Sequence, residues 1–232
     1  MSRIYGQYQH RDLDVVDYEG FEIEGLPYAL SGAKTENTDS GEYRVILGAL
    51  QSFGVLVRKP FAHMITEEFN LPMLNLSVEG GAPQLYLNNR SVFEAYANAK
   101  FVIVQVMSAL SSKTSYFETR NGKNMFRPAG SSMPYVPDDT VYNAMFENEP
   151  TILTRSVIGE LRANWMREMT DLLSAITAPK ILMWFSKRSP ELPDDFSSYR
   201  QFSGMFPQFI NREMADSVRP VVAKITVREE SQ

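Results

Sequence analysis

Seven consecutive residues, 101–107 (FVIVQVM), are apolar except for Gln105. A strand without a polar face has to be covered on both sides, which is typical of a parallel sheet between two layers of helices. Helical patterns separate this run from the other apolar runs, most clearly at residues 157–176, where apolar side chains recur every three or four positions. The alternation predicts a three-layer α/β/α fold with a mainly parallel sheet. Its strands are expected at residues 43–47, 72–78, 101–107, 180–185 and 221–227.

The negative charge of the chain is concentrated near its N-terminus. The net charge is −5, and residues 12–42 alone contain nine acidic side chains and one base, Lys34. This balance argues against general nucleic-acid binding. We interpret residues 1–42 as an acidic N-terminal arm and residues 43–232 as a single α/β domain with a long loop insertion at 108–150. The arm is either a solvated lead-in or a docking segment for a basic protein partner.

Composition also limits the chemistry and the location. The chain has no cysteine and two histidines, His10 and His63, so we expect no disulfide, no metal site and no cofactor. Its first residues contain no apolar signal region, and no stretch approaches the ~18 apolar residues of a membrane span. A cytoplasmic protein without a membrane span is expected.

Ligands of open parallel sheets bind beyond the carboxyl ends of the strands, so the residues there are the candidate ligand-binding residues. Small or polar side chains follow each of the first three predicted strands, although tight turns would require many of the same residues for steric reasons. These candidates are Gln51, Ser52, Gly54, Asn75, Gly80, Gly81, Gln105 and Ser108.

The common catalytic and phosphate-binding motifs are absent from the sequence. Gly48 and Gly54 lie one residue too far apart for a phosphate-binding P-loop, and Val55 stands where the lysine should be. A nucleophilic serine needs a base, and neither histidine follows a predicted strand. We therefore expect no serine esterase.

Residues 113–127, a part of the predicted insertion, are basic, in contrast to the acidic chain as a whole. Lys113, Arg120, Lys123 and Arg127 are opposed by Glu118 alone, and three aromatic residues lie among them. Basic and aromatic side chains together can bind an anionic or sugar-bearing ligand. Lys113, Arg120 and Lys123 are therefore further candidate ligand-binding residues. Alternatively, this basic loop neutralises the acidic arm.

Four segments carry a resemblance to known proteins. VILGALQSFGVLVRKPF, LPMLNLSVEGGAPQLYL, FVIVQVMSA and FPQFINREMADSVRP are similar to an uncharacterised bacterial family of unknown function, found mainly in alphaproteobacteria. This resemblance covers most of the chain and implies a fold more than a function.

The same order of segments more distantly resembles the SGNH (GDSL-type) hydrolases. Their G-D-S-x-x-x-G signature falls on residues 48–54, where Ala49 replaces the aspartate and Leu50 the nucleophilic serine. The asparagine expected after the third strand and the C-terminal D-x-x-H are also missing. The resemblance implies an SGNH-like or flavodoxin-like fold that has lost its hydrolytic apparatus, with Ser52 as the remaining substitute for the nucleophile.

Two functions are compatible with these features. The first, which the missing catalytic residues favour, is a catalytically silent subunit, a pseudoenzyme that acts through protein–protein interaction in a larger assembly. The second is a ligand-binding protein or a polysaccharide-modifying transferase that uses the strand-end loops and the basic aromatic loop.

Overall fold

The computed structural model describes residues 21–24, 30, 41–57, 59–120, 125–148, 151–191, 198–219 and 224–227. Within these residues the strands are β1 (Arg44–Leu47), β2 (Met73–Asn75), β3 (Val102–Gln105), β4 (Phe117–Thr119), β5 (Met125–Pro128), β6 (Val136–Pro137), β7 (Lys180–Trp184) and β8 (Lys224–Val227). The helices are α1 (Leu50–Phe53), α2 (Phe61–Phe69), α3 (Pro83–Leu87), α4 (Arg90–Ala97), α5 (Asp138–Asn148), α6 (Thr151–Ala175), α7 (Tyr199–Ser203) and α8 (Arg212–Ser217).

The main sheet is parallel, and its strands lie in the order β2-β1-β3-β7-β8. All five predicted strands are confirmed, and the apolar run around β3 occupies the centre of the sheet. Of the strand predicted at 221–227, residues 221–223 lie outside the described residues. The strand predicted at 72–78 is shorter than expected: β2 ends at Asn75, whose side chain accepts a hydrogen bond from Ser77 N at 3.1 Å, although Leu76 N and Val78 N still donate to Ile46 O and Gly48 O. The predicted α/β class with a mainly parallel sheet is confirmed.

The two faces of the sheet are covered unequally. The long helix α6 and helix α8 pack against one face, where they share the main hydrophobic core with the sheet. Trp165 of α6 is fully buried, and its Nε1 donates to Met107 O at 2.9 Å. Helix α2 packs on the opposite face, where Ala62 contacts Ile46 and Met73. This division follows from right-handed crossovers, because the β1–β2 connection runs across the sheet in the opposite direction to the later ones.

Part of the acidic N-terminal segment belongs to the main core. Phe21 and Leu30 form an antiparallel bridge through two backbone hydrogen bonds of 3.1 and 2.9 Å. Both side chains are buried in the main core, and Leu30 is fully inaccessible. Most other residues of the predicted arm lie outside the described residues.

The segment 108–150, predicted as a long loop, contains secondary structure of its own. Strands β4, β5 and β6 form a small antiparallel sheet, followed by helix α5. Glu118 lies opposite Arg127 in the β4–β5 register, and the Arg127 guanidinium lies 2.8 Å from its carboxylate. Among the described residues, every helix is too short or too polar to cross a membrane.

Candidate functional site

A cavity of about 340 Å³ opens at the carboxyl ends of the central strands, where a parallel sheet usually binds its ligand. The loops after β1, β2 and β3 form three of its walls, and α5 and the chain before α8 complete it. The polar side chains of the lining are Gln51, Glu79, Ser108, Ser111, Asp138 and Gln208. Leu50, Val55, Leu56, Leu110 and Phe206 supply most of the apolar lining.

A buried polar network centred on Gln105 forms the floor under the first loop. Gln105 Oε1 accepts hydrogen bonds from Ala49 N at 2.9 Å, from Ser52 N at 3.3 Å and from Ser52 Oγ at 2.6 Å. Its Nε2 donates to Gln51 Oε1 at 3.0 Å. Asn75 Nδ2 donates to Ser52 O at 3.0 Å from the neighbouring strand. The loop that carries Leu50 into the cavity is therefore fixed by side chains below it.

Two glycines allow close packing of the loops after β1 and β2, Gly48 against Gln105 of β3 and Gly81 against Gly48. A Cβ atom on Gly48 would lie 2.5 Å from Gln105 Oε1, and one on Gly81 would lie 2.9 Å from Gly48 O. Tyr86 adds a link between these loops, because its hydroxyl lies within hydrogen-bonding distance of Gly48 N and of Leu76 O, 3.2 Å from each. The small residues at these positions are required by close packing.

The structure divides the predicted ligand-binding residues into three groups. Gln51, Gly80, Gly81 and Ser108 line the cavity. Ser52, Asn75 and Gln105 are buried beneath it, and Gly54 ends helix α1 behind it. Lys113 and Arg120 are exposed and lie outside the cavity lining, and Lys123 is outside the described residues.

Ser52, Arg127 and His63 all lie outside the cavity lining. Ser52 is fully buried with its hydroxyl directed at Gln105, so a ligand in the cavity does not reach it. Arg127 pairs with Glu118 and lies over the ring of Tyr135, 4.7 Å from its centroid. His63 pairs with Glu67 on the surface of α2 and is not part of the cavity lining.

Sequence reasoning missed Asp138, the carboxylate that α5 contributes to the cavity. It is the first residue of this helix. Burial raises its pKa to about 6; a hydrogen bond from the Asp139 backbone N–H opposes this shift, and the charge of the Asp139 carboxylate adds a smaller upward effect. The Pro-Asp-Asp sequence at 137–139 signals a helix start, but a helix start carries no information about the cavity that it faces. The pKa places its ionisation close to neutral pH.

An aromatic cluster holds helix α5 in place. Tyr142 lies one helical turn after Asp138 and is fully buried. Its ring stacks on Tyr199 at a centroid distance of 5.6 Å and meets Phe126 and Phe209 edge to face at 5.6 and 5.8 Å. Its hydroxyl donates to Leu110 O, 3.3 Å away in the loop after β3. The aromatic cluster formed by Phe126, Tyr142, Tyr199 and Phe209 therefore fixes the position of Asp138.

A buried carboxylate joins the loop after β3 to helix α3 behind the cavity. Glu168 of α6 is 3% exposed and accepts hydrogen bonds from Ser112 Oγ at 3.1 Å and from Gln84 Nε2. Ser112 follows Ser111 of the lining, and Gln84 belongs to helix α3, which begins shortly after Gly81. Burial raises the pKa of Glu168, and the two hydrogen bonds oppose this shift only in part.

The Glu168→Gln variant should change how stability depends on pH. A carboxyl group whose folded pKa is raised favours the folded state most when it is protonated, so its contribution is complete below about pH 4.5 and is lost as pH rises through the folded pKa. We expect the free energy of unfolding of the native chain, relative to that of Glu168→Gln, to fall as pH rises from about 4 to 8. Urea unfolding at several pH values measures this difference.

The matched control is Glu160→Gln, which changes a partly exposed carboxylate of the same helix that accepts hydrogen bonds from Ser115. A difference between the native chain and Glu168→Gln that is flat or increases with pH would show that the buried carboxyl does not titrate in this way.

The arrangement defines an α/β domain with a strand-end cavity whose polar lining is acidic, hydroxyl and amide in character. By sequence, the chain belongs to the family described as Domain of unknown function (DUF6473), whose model matches residues 7–125 and 147–232. The resemblance to a family of unknown function is thereby confirmed. Residues 126–146, which include Asp138 and Tyr142, lie between the two matched segments. No curated protein matches the sequence significantly.

Several solved structures of hydrolases are similar to the chain. The psychrotrophic esterase EstA from Pseudoalteromonas sp. has 10% identity and a TM-score of 0.40, with 80% of this chain and 76% of that chain covered. An extracellular lipase from Streptomyces rimosus has 11% identity and the same TM-score of 0.40, with 77% and 73% covered. A carbohydrate esterase family 2 enzyme from Corynascus has 10% identity and a TM-score of 0.35, with 84% of this chain and 56% of that chain covered.

Proposed function

We propose that the protein binds a small hydroxylated molecule in the strand-end cavity and does not hydrolyse esters through a serine nucleophile. The observation that carries this proposal is the composition of the cavity lining, in which hydroxyl, amide and carboxylate groups alternate with apolar side chains around about 340 Å³. Cavities of a few hundred Å³ with a few convergent polar groups are typical small-molecule sites.

The polar groups suit a ligand with several hydroxyls. The amides of Gln51 and Gln208 each offer a donor and an acceptor, and the Ser111 hydroxyl offers both. Within the described part of the chain, no lysine, arginine or histidine belongs to the lining. An anionic ligand therefore has little to neutralise its charge here, in contrast to the anion predicted from the basic loop.

The positions of the serines and of His63 argue against serine-based hydrolysis. Leu50 lies in the lining at the position where the SGNH resemblance places the nucleophile. Ser108 Oγ is engaged, because it accepts from Leu110 N at 3.0 Å and lies 3.3 Å from Gln208 O. A serine nucleophile requires a base within hydrogen-bonding reach, and His63 lies on α2 beside Glu67. These contacts support a catalytically silent cavity.

The role of residues 12–42 in protein–protein interaction remains a separate prediction. Most of this segment lies outside the described residues, and Glu42 pairs with Lys100 on the surface of the domain. A truncation that tests this role should remove residues 1–20, because Phe21 and Leu30 pack in the main core.

The proposal predicts that Gln208→Ala weakens binding of a hydroxylated ligand about 3- to 10-fold, as expected for the loss of one neutral hydrogen bond. Calorimetric titration with glucose, glycerol and inositol as probes measures this change. Lys113→Ala and Arg120→Ala, which change exposed residues outside the lining, should keep the native affinity within about 2-fold.

The same protein should not hydrolyse a short-chain aryl ester above the background rate, whereas serine esterases turn over at about 1 to 10³ per second. Binding that is lost in Lys113→Ala or Arg120→Ala but kept in Gln208→Ala would place the ligand on the basic loop. Ester hydrolysis that Ser52→Ala abolishes would contradict the second half of the proposal.

A further inference from the structure

We propose that Asp138 makes the cavity select ligands that carry a protonated amine, so that the preferred occupant is an amino sugar or an amino polyol. This inference rests on the proposed binding function and names the class of ligand for the same cavity. Asp138 is here a specificity-determining residue.

Among the described residues, Asp138 has no ion-pair partner. Its carboxylate lines the cavity wall. Arg127 of the small sheet is paired with Glu118. The backbone N–H groups of Asp138 and Asp139 donate to this carboxylate, but they offset the cost of its burial only in part, because its pKa is still raised. A protonated amine on a bound ligand would supply the missing cation together with a further hydrogen-bond donor.

The other polar residues of the lining lie within the segments that the family model matches. The polar residues that the family model covers contribute one carboxylate, Glu79, together with amide and hydroxyl groups. Asp138 comes from residues 126–146, which the model does not match. The loops after the strands therefore form a site for hydroxyl groups that contains one carboxylate, Glu79. Residues 126–146 add a second carboxylate, Asp138, to this site.

The charge of Asp138 is held in a fixed position. Tyr142 fixes the first turn of α5 through the aromatic cluster and through its hydrogen bond to Leu110 O, and Leu110 itself lines the cavity. A carboxylate on a fixed helix loses little conformational entropy when it binds an ammonium group, and the resulting hydrogen bond is charge-assisted.

The ionisation of Asp138 sets the pH range of the selection. The titratable groups that act on it are Asp139 on the same turn, Tyr142 on the next turn and Tyr199 on helix α7, and Glu79 belongs to the same cavity. Because the pKa of Asp138 is raised to about 6, the carboxyl becomes neutral as pH falls below that value. A sugar amine remains mostly protonated up to about pH 7. A loss of the preference for the amino sugar between pH 7 and pH 5 therefore reports protonation of Asp138 and not a change in the ligand.

The test compares glucosamine with glucose by calorimetric titration of the full chain at pH 7. We expect the native chain to bind glucosamine about 10-fold more tightly than glucose, as a charge-assisted hydrogen bond allows. In Asp138→Asn, a change of nearly equal size, the ratio should fall to within about 2-fold. The control Asp139→Asn, which alters the adjacent exposed carboxylate, should retain the native ratio.

A second experiment follows the two affinities of the native chain as a function of pH. In the native chain, the ratio of the two affinities should decrease as pH falls from 7 to 5. Equal binding of both sugars to the native chain would overturn the selection by Asp138 and leave the hydroxyl-binding cavity intact, whereas binding of neither sugar would overturn both. A preference that persists in Asp138→Asn, or that disappears equally in Asp139→Asn, would also overturn the assignment to Asp138.

Discussion

Replacing Gln105 with alanine should destabilise the protein by about 3 to 5 kcal/mol, because three buried donors lose their common acceptor. Those donors are Ala49 N, Ser52 N and Ser52 Oγ, all within 3.3 Å of Gln105 Oε1. Each buried donor without a partner costs about 1 to 3 kcal/mol, and the cavity left by the shortened side chain adds to that cost. Urea unfolding measures the change as a lower transition midpoint.

Gln51→Ala is the matched control for this prediction. It removes the partner of Gln105 Nε2 but leaves the acceptor in place, and Gln51 is only half-buried. Its cost should stay below about 1 kcal/mol because water can replace the lost contact. Equal destabilisation by the two variants would mean that the network centred on Gln105 does not hold the loop after β1.

Tyr142→Ala should also cost about 3 to 5 kcal/mol, the usual range for removing a buried aromatic ring. The ring contacts Phe126, Tyr199 and Phe209, so the variant removes the centre of the aromatic cluster. Tyr142→Phe keeps the ring and loses only the hydrogen bond to Leu110 O, so its cost should be about 0.5 to 1.5 kcal/mol.

The same pair of variants tests whether the aromatic cluster positions Asp138. Tyr142→Ala should remove the preference for glucosamine over glucose, and Tyr142→Phe should keep it. Stability from denaturant titration and the ratio of the two affinities are the measurements. Similar stabilities for the two variants would contradict a packing role for the ring.

The sheet could be predicted from the sequence because each strand coincides with a short run of apolar residues. The run at 101–107 has no polar face apart from Gln105, and such a strand belongs in the middle of a parallel sheet, where β3 lies. Gln105 itself was predicted to bind a ligand. A lone polar side chain in a buried strand more often satisfies buried donors, and the loop after β1 supplies them.

The ion pair of Arg127 could not be predicted from the number of charges in the basic loop. Arg127 is paired because it lies opposite Glu118 in the β4–β5 register, and a register is not visible in a count of charges. The Asn-Gly pair at 121–122 lies between the two strands, and this dipeptide is a strong hairpin signal that could have revealed the pairing.

Asp138 could not be placed from the sequence because its position depends on tertiary packing. The acid at a helix start is a local signal, whereas its presence in the cavity depends on Tyr142 packing against Tyr199, a residue 57 positions further along the chain. Contacts of this range are set by how the segments fold onto each other, and one sequence alone does not specify them.

Chemical-shift mapping of the backbone amides with glucosamine measures directly whether the strand-end cavity is the binding site. Binding there predicts saturable shifts at Gly80, Ser108, Ser111 and Gln208, all of which line the cavity, and unchanged signals at Lys113 and Arg120, which do not. Shifts confined to Lys113 and Arg120, or no saturable shift at the cavity residues, would contradict it.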